Sequence, residues 1–242
     1  MHAHRSKNEA GFSLFELTVA MGISIVIMGL ASSLLAGSFN IRSREDRKSD
    51  AIADVQRALN IMTREIGNAG YRLPGLPGVS TNGIVVGDSN SQSVRIVSNL
   101  NGSPDPATGL ADTDVTDNDE DVKFLMYVDN DLGQRYIVRF QNNAANDTTV
   151  LANRIDSLVI RYYDEKVNYN TTVNAQGVCD ITNVVNASNS AESEVSPGAA
   201  KYLVIAVGAT LPAVGTPGAD GYQPPSRVQL TSDVVLRNSL AY

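Results

Sequence analysis

The chain has 242 residues, 43% of them hydrophobic, with a formal net charge of −7, two histidines, one cysteine and no tryptophan. That length allows one or two domains. The acidic balance argues against nucleic acid as the main ligand, because affinity for phosphate backbones rests on clustered Lys and Arg, and the lone Cys179 excludes an intramolecular disulfide.

In chain order, the first element is an apolar run from Gly11 to Phe39 in which Glu16 is the sole ionisable side chain between Glu9 and Arg42. About 20 apolar residues span a bilayer, so the run is long enough to cross one. A carboxylate placed at depth in such a segment costs on the order of a few kcal/mol. A plain anchor gives no reason for that cost, so Glu16 implies a partner charge. A new α-amine would serve, if the chain were cut a few residues earlier. The short leader ends at Gly11, which suits such a cut.

The string G-F-S-L-F-E-L-T-V-A-M, Gly11 to Met21, resembles the processing site of type IV prepilins and type II secretion pseudopilins. The resemblance implies that prepilin peptidase cuts between Gly11 and Phe12 and that Phe12 is N-methylated. Glu16 then becomes the fifth residue of the mature chain and meets the N-terminal amine of a neighbouring subunit during assembly. Two other readings fit the same stretch. A secretory signal has the basic n-region (Arg5, Lys7) and small residues at Ala31 to Ser33, but its h-region is usually 7–15 residues, shorter than this run. A plain signal anchor has the right length and leaves Glu16 unexplained. Arg42, Arg44, Arg47 and Lys48 outnumber Arg5 and Lys7, the reverse of the positive-inside bias, although long domains translocate largely regardless of flanking charge.

No proline precedes Pro74, so one helix is expected from Phe12 to about Asn68, weakened at Gly22, Gly29 and Gly37 by up to about 1 kcal/mol each. Beyond the apolar run, Ile52, Val55, Leu59, Met62, Ile66 and Ala69 recur at helical spacing, an apolar stripe expected to face the protein's own sheet. Gly67, Gly70, Pro74 and Pro77 end the helix. Major pilins usually have a proline about two-thirds along the apolar segment, where this chain has Ser33. Three later stretches resemble PilW-like minor pilins: Thr63 to Arg72, Arg154 to Tyr163 and Leu230 to Asn238.

After Tyr71, β-branched and aromatic runs alternate with turn residues. Strands are expected at Gly83–Val86, Ser93–Ser98, Val122–Val128, Arg135–Phe140, Ile155–Tyr163, Tyr202–Ala209 and Val228–Leu236. The second pair of central runs reads as a hairpin turning at Asp129 to Gly133. Lys166 to Gly198 is Asn/Ser/Thr-rich with few strand signals and reads as a surface excursion, with Cys179 a passive thiol in or near a loop. The expected fold class is α+β and pilin-like, a long N-terminal helix laid on an antiparallel sheet head. The expected divisions are a leader at 1–11, a transmembrane and assembly helix at 12–40, an amphipathic continuation at 41–70 and a β-rich head at 71–242.

Both histidines, His2 and His4, fall in the leader, so the mature chain would lack the His of nucleophilic triads and of histidine-ligated zinc. No Walker-type glycine loop is present. Catalytic residues are therefore not expected, and neither is a cofactor. One acidic cluster stands out: Asp112, Asp114, Asp117, Asp119, Glu120 and Asp121, with Asp129 and Asp131 after the next strand. Asp117, Asp119 and Asp121 have the opening spacing of a calcium loop, and calcium takes six to eight oxygen ligands. Val122 and Val128 stand where an EF-hand needs glycine and glutamate, so the cluster reads first as a solvated loop.

The resemblance implies an inner-membrane precursor with its head outside the cytoplasm, later built into a pilus at the cell surface with other major and minor pilins. A minor pseudopilin of a type II secretion system shares every N-terminal feature. A membrane-anchored binding module, such as an adhesin, is the alternative from a different class.

Overall fold

The proline-free N-terminal region forms a single α-helix, α1, Leu14–Ile66, of 53 residues. The structure, a computed structural model, describes residues 13–73, 75–100, 114–143, 147–173, 178–219 and 221–239. Among the described residues nine strands follow the helix: β1 Ser93–Val97, β2 Asp121–Asp129, β3 Gln134–Gln141, β4 Thr148–Ala152, β5 Ser157–Tyr163, β6 Asn168–Val173, β7 Cys179–Val185, β8 Tyr202–Leu211 and β9 Ser226–Val235. All strand pairs are antiparallel. They form a four-stranded sheet in the order β1-β2-β3-β4, a three-stranded sheet in the order β5-β8-β9, and a separate hairpin, β6-β7.

The described residues divide into two compact units. One holds α1 up to Asp46 together with 213–224, and the other holds 47–212 and 225–239. In the second unit, α1 buries Val55, Ala58, Leu59, Met62 and Ile66, the stripe expected from their spacing. These side chains join one core with Val94, Ile96, Phe124 and Ile137 of the first sheet and Leu158, Ile160, Leu203 and Ile205 of the second. The chain is thus a long apolar helix whose C-terminal part packs on antiparallel sheets, an α+β arrangement.

Strand β8, YLVIAVGATL, is an almost continuous apolar run, and such runs belong to strands covered on both faces. Leu203, Ile205 and Val207 face the core shared with α1, whereas Tyr202, Val204 and Ala206 enter a second cluster. Cys179 and Ile181 of β7 and Tyr169 of β6 close that cluster from outside. The hairpin corrects the expectation of a surface excursion over Lys166 to Gly198. Its strands were hidden by polar composition, because five of the six side chains of β6 are exposed and only a minority of the hairpin's residues touch the sheet. Cys179 is likewise not in a loop but opens β7 and is buried. Strand β4 is a further addition, an edge strand of which only Leu151 and Ala152 are buried. The expected strand at Gly83–Val86 is reduced to isolated bridges, Ile84 to Ile96 and Val79 to Val85.

The helix ends at Ile66, two residues before the expected Asn68, and the chain turns through Gly70 at φ 78°. Gly70 and Gly83 approach so closely that a Cβ on Gly83 would lie 1.9 Å from the Gly70 nitrogen. Both glycines are therefore required by contact as well as by φ. Buried Asn82 donates to the carbonyls of Pro197 and Ala200 and accepts from the Ile84 amide, joining this turn to the segment before β8.

Met62 is fully buried, so Met62→Ala is expected to cost about 2–5 kcal/mol. Arg57→Ala, on the exposed face of the same helix, should stay within about 0.5 kcal/mol. Thermal melts of the full chain in detergent check both, and an unchanged midpoint for M62A would remove the stripe from the core.

Candidate functional site

From Ser13 to Ala36 every residue of α1 is exposed, including Leu14, Phe15, Met28 and Leu34 at more than 70%. The helix is long and apolar enough to cross a membrane. Its hydroxyls are compatible with such a setting: Thr18, Ser24 and Ser38 donate to the carbonyls of Phe15, Ala20 and Leu34, so these protons are satisfied within the helix.

Glu16 lies in the first turn of α1. Its Oε2 accepts from the Ser13 amide at 3.3 Å, and the Ser13 Oγ accepts from the Phe15 amide at 3.3 Å. A serine at the cap and a glutamate three residues on, each taking up helix-terminal amides, make a capping box. The negative charge also meets the positive end of the helix dipole. The motif S-L-F-E contains this arrangement, and the spacing of Ser13 and Glu16 was the signal by which it could have been read. Gly11 and Phe12, the cleavage and methylation candidates, lie outside the described residues.

Near Arg42, the segment 213–224 reaches the same stretch of helix. Val214 and Gln223 exchange backbone hydrogen bonds, so the described residues 213–219 and 221–224 form a narrow arm. A Cβ on Gly221 would lie 2.7 Å from the Gly37 Cα, and Arg44 Nη1 donates to Gln223 Oε1 at 2.6 Å. The restriction falls on Gly221, since a Cβ on Gly37 would keep 4.0 Å from the Gly221 Cα.

In the second unit the acidic residues separate into three groups. Asp114, Asp117 and Glu120 converge, with ligand-capable oxygens within 4.8 Å of one another. Glu120 is buried and accepts from the amides of Leu100 and Asp117. The Thr116 hydroxyl and amide hold the Asp114 carboxyl below its usual range. Asp119 instead pairs with Arg139 at 2.5 Å, and Arg139 also grips Glu65 of α1 at 2.8 Å. Asp121 forms a two-point pair with Arg95, which reaches Asp88 as well. The spaced trio Asp117, Asp119 and Asp121 is therefore not the convergent set: Asp119 stands in the turn before β2 at φ 71°, which breaks the two-residue alternation that would put all three on one face. Asp112 lies outside the described residues. Asp129 Oδ1 accepts from the amides of Asp131 and Leu132, which makes this pair a hairpin turn, as the turn composition suggests. Arg139 and Arg95 had no sequence signal, because each acquires its role only by pairing across strands.

Comparison with protein-family models, curated proteins and solved structures gives no match.

Burial pushes the Cys179 thiol above its ordinary range, and its Sγ faces Gly208 of β8. The thiol is the form present at pH 8, and it is shielded. Maleimide labelling of the native chain is expected to be slow and to reach completion in urea. Rapid labelling before unfolding would count against a buried position.

Proposed function

We propose that this chain is a PilW-like minor pilin, a structural assembly component processed by prepilin peptidase. The observation that supports it is the fully exposed apolar stretch Ser13–Ala36, which opens with Ser13 and Glu16 in a mutual cap. An apolar surface on this scale needs lipid before assembly and neighbouring helices after it. The carboxylate sits at the end of the helix nearest the proposed cut, within reach of an amine brought by a neighbouring subunit. The head then serves as a contact surface for other minor pilins.

The capping box separates two roles of Glu16. Glutamine also serves at the third position of such a box, whereas alanine does not. If the charge pairs with a subunit amine, Glu16→Gln and Glu16→Ala should both keep the protein out of purified fibres. Normal incorporation of E16Q with loss of E16A would reduce Glu16 to a helix cap, and normal incorporation of both would favour a membrane-anchored binding module.

The processed protein, isolated from membranes of its native host, is expected to begin at Phe12 and to carry one added methyl group, measured by N-terminal sequencing and intact mass. A start near Ser32 would make it a secreted protein, and retention of Met1 a plain anchor. Deletion in the host distinguishes the pilus from the pseudopilus, since loss of secretion with normal piliation assigns it to the latter.

A further inference from the structure

We propose that the described residues of the arm, 213–219 and 221–224, lie in the headgroup layer of the membrane crossed by α1, a second point of lipid contact beside the helix. The proposal rests on the reading of α1 as a membrane span and goes beyond the assembly role.

Three observations carry it. The first is depth. Glu16 is most cheaply placed at one interface, where its charge stays hydrated. Gly37 is 21 residues further on. At a rise of 1.5 Å per residue that is about 31 Å, the thickness of the hydrocarbon core. Gly37 and Asn40 therefore fall at the opposite interface, and Arg42 begins the charged part of the helix.

The second is attachment. The arm is seated on α1 at that level. Gly221 meets Gly37 backbone to backbone, and Gly215 lies against Asn40, with 3.6 Å from a Gly215 Cβ position to the Asn40 Nδ2. Arg44 holds Gln223 one turn beyond. Gly37, Asn40 and Arg44 are half-buried, whereas Ser13 to Ala36 are all exposed.

The third is composition. From Ala213 to Pro224 the sole charged residue is Asp220, and the rest are Ala, Val, Gly, Thr, Pro, Tyr and Gln. Tyr222 belongs to the residue type enriched at membrane–water interfaces. Several of the arm's amides are satisfied internally, Val214 with Gln223 in both directions, Ala219 with Thr216 and Tyr222 with Ala219. Such a segment loses little on leaving bulk water. The neighbouring Arg42 is exposed and suits the phosphates of that layer.

The test uses the full chain with Cys179→Ala, in nanodiscs of phosphatidylethanolamine and phosphatidylglycerol, with single spin labels at Leu30→Cys, Ala219→Cys and Ser188→Cys. The ratio of relaxation by oxygen to relaxation by a water-soluble nickel chelate reads depth. Leu30 is expected at the lipid extreme, Ser188 at the water extreme and Ala219 between them. Gly221→Val, which places a Cβ against Gly37 at φ 78°, should shift the Ala219 ratio to the Ser188 value and leave Leu30 unchanged. An Ala219 ratio equal to that of Ser188 with Leu30 in lipid would overturn the proposal and keep the span. An Ala219 ratio equal to that of Leu30 would overturn it in the other direction. A Leu30 label in water would overturn the span itself, and the proposal with it.

Discussion

The constraint on which the rest of this protein depends is the uncovered helix surface between Ser13 and Ala36. Burying a large apolar side chain is worth roughly 1.5–3 kcal/mol. With Leu14, Phe15, Leu17, Met21, Ile23, Ile25, Ile27, Leu30 and Leu34 all exposed, leaving that surface in water would forfeit a sum of the same order as the roughly 5–15 kcal/mol stability of a whole domain. The surface is long and apolar enough to lie in a membrane instead. Everything at the start of the helix fits an apolar surrounding: the hydroxyls bond back to carbonyls, and the single carboxylate is placed at the end, capping amides that would otherwise be orphaned.

The C-terminal part of α1 solves the opposite problem. There the apolar residues shrink to one stripe, and the stripe is shared by two sheets that would otherwise have separate cores. Tyr162 adds a polar tie between the sheets, its hydroxyl lying 3.0 and 3.1 Å from the carbonyls of Asn90 and Ser93. Arg139 links the first sheet to Glu65 of the helix. A half-buried ion pair of this kind gains little net free energy over apolar packing, but removing one partner strands the other, so its effect is to select one orientation of helix on sheet. The acidic segment before β2 is organised by the same logic, with a buried Glu120 gathering backbone amides and Asp119 and Asp121 drawn to opposite arginines.

Two glycines that meet need not both be required. In the middle of an α-helix a glycine costs up to about 1 kcal/mol relative to alanine. At Gly37 an added Cβ would keep 4.0 Å from the Gly221 Cα, so the approach does not require glycine there, whereas Gly221 needs both its left-handed φ of 78° and its missing side chain, whose Cβ would lie 2.7 Å from the Gly37 Cα.

The sequence by itself determined the long helix, its division into an apolar half and an amphipathic half, six of the nine strands among the described residues, the Asp129–Gly133 turn, and the unusual position of Glu16. Each of these is a local pattern: the 3.6-residue repeat of Val55, Leu59, Met62 and Ile66, the absence of proline before Pro74, a carboxylate isolated in an apolar run. Tertiary structure alone decided how the strands partition into two sheets and a hairpin, which carboxylates converge and which pair with Arg95 or Arg139, and that Gly221 and Gln223 meet the helix at Gly37 and Arg44. The physical reason is separation along the chain. The strands of β6-β7 carry mostly polar side chains, and the contacts of Cys179 and Ile181 that hold them exist only once β8 is in place. Ion pairs and glycine contacts between residues far apart leave no periodicity to read, because their free energy is realised only when folding brings the partners together.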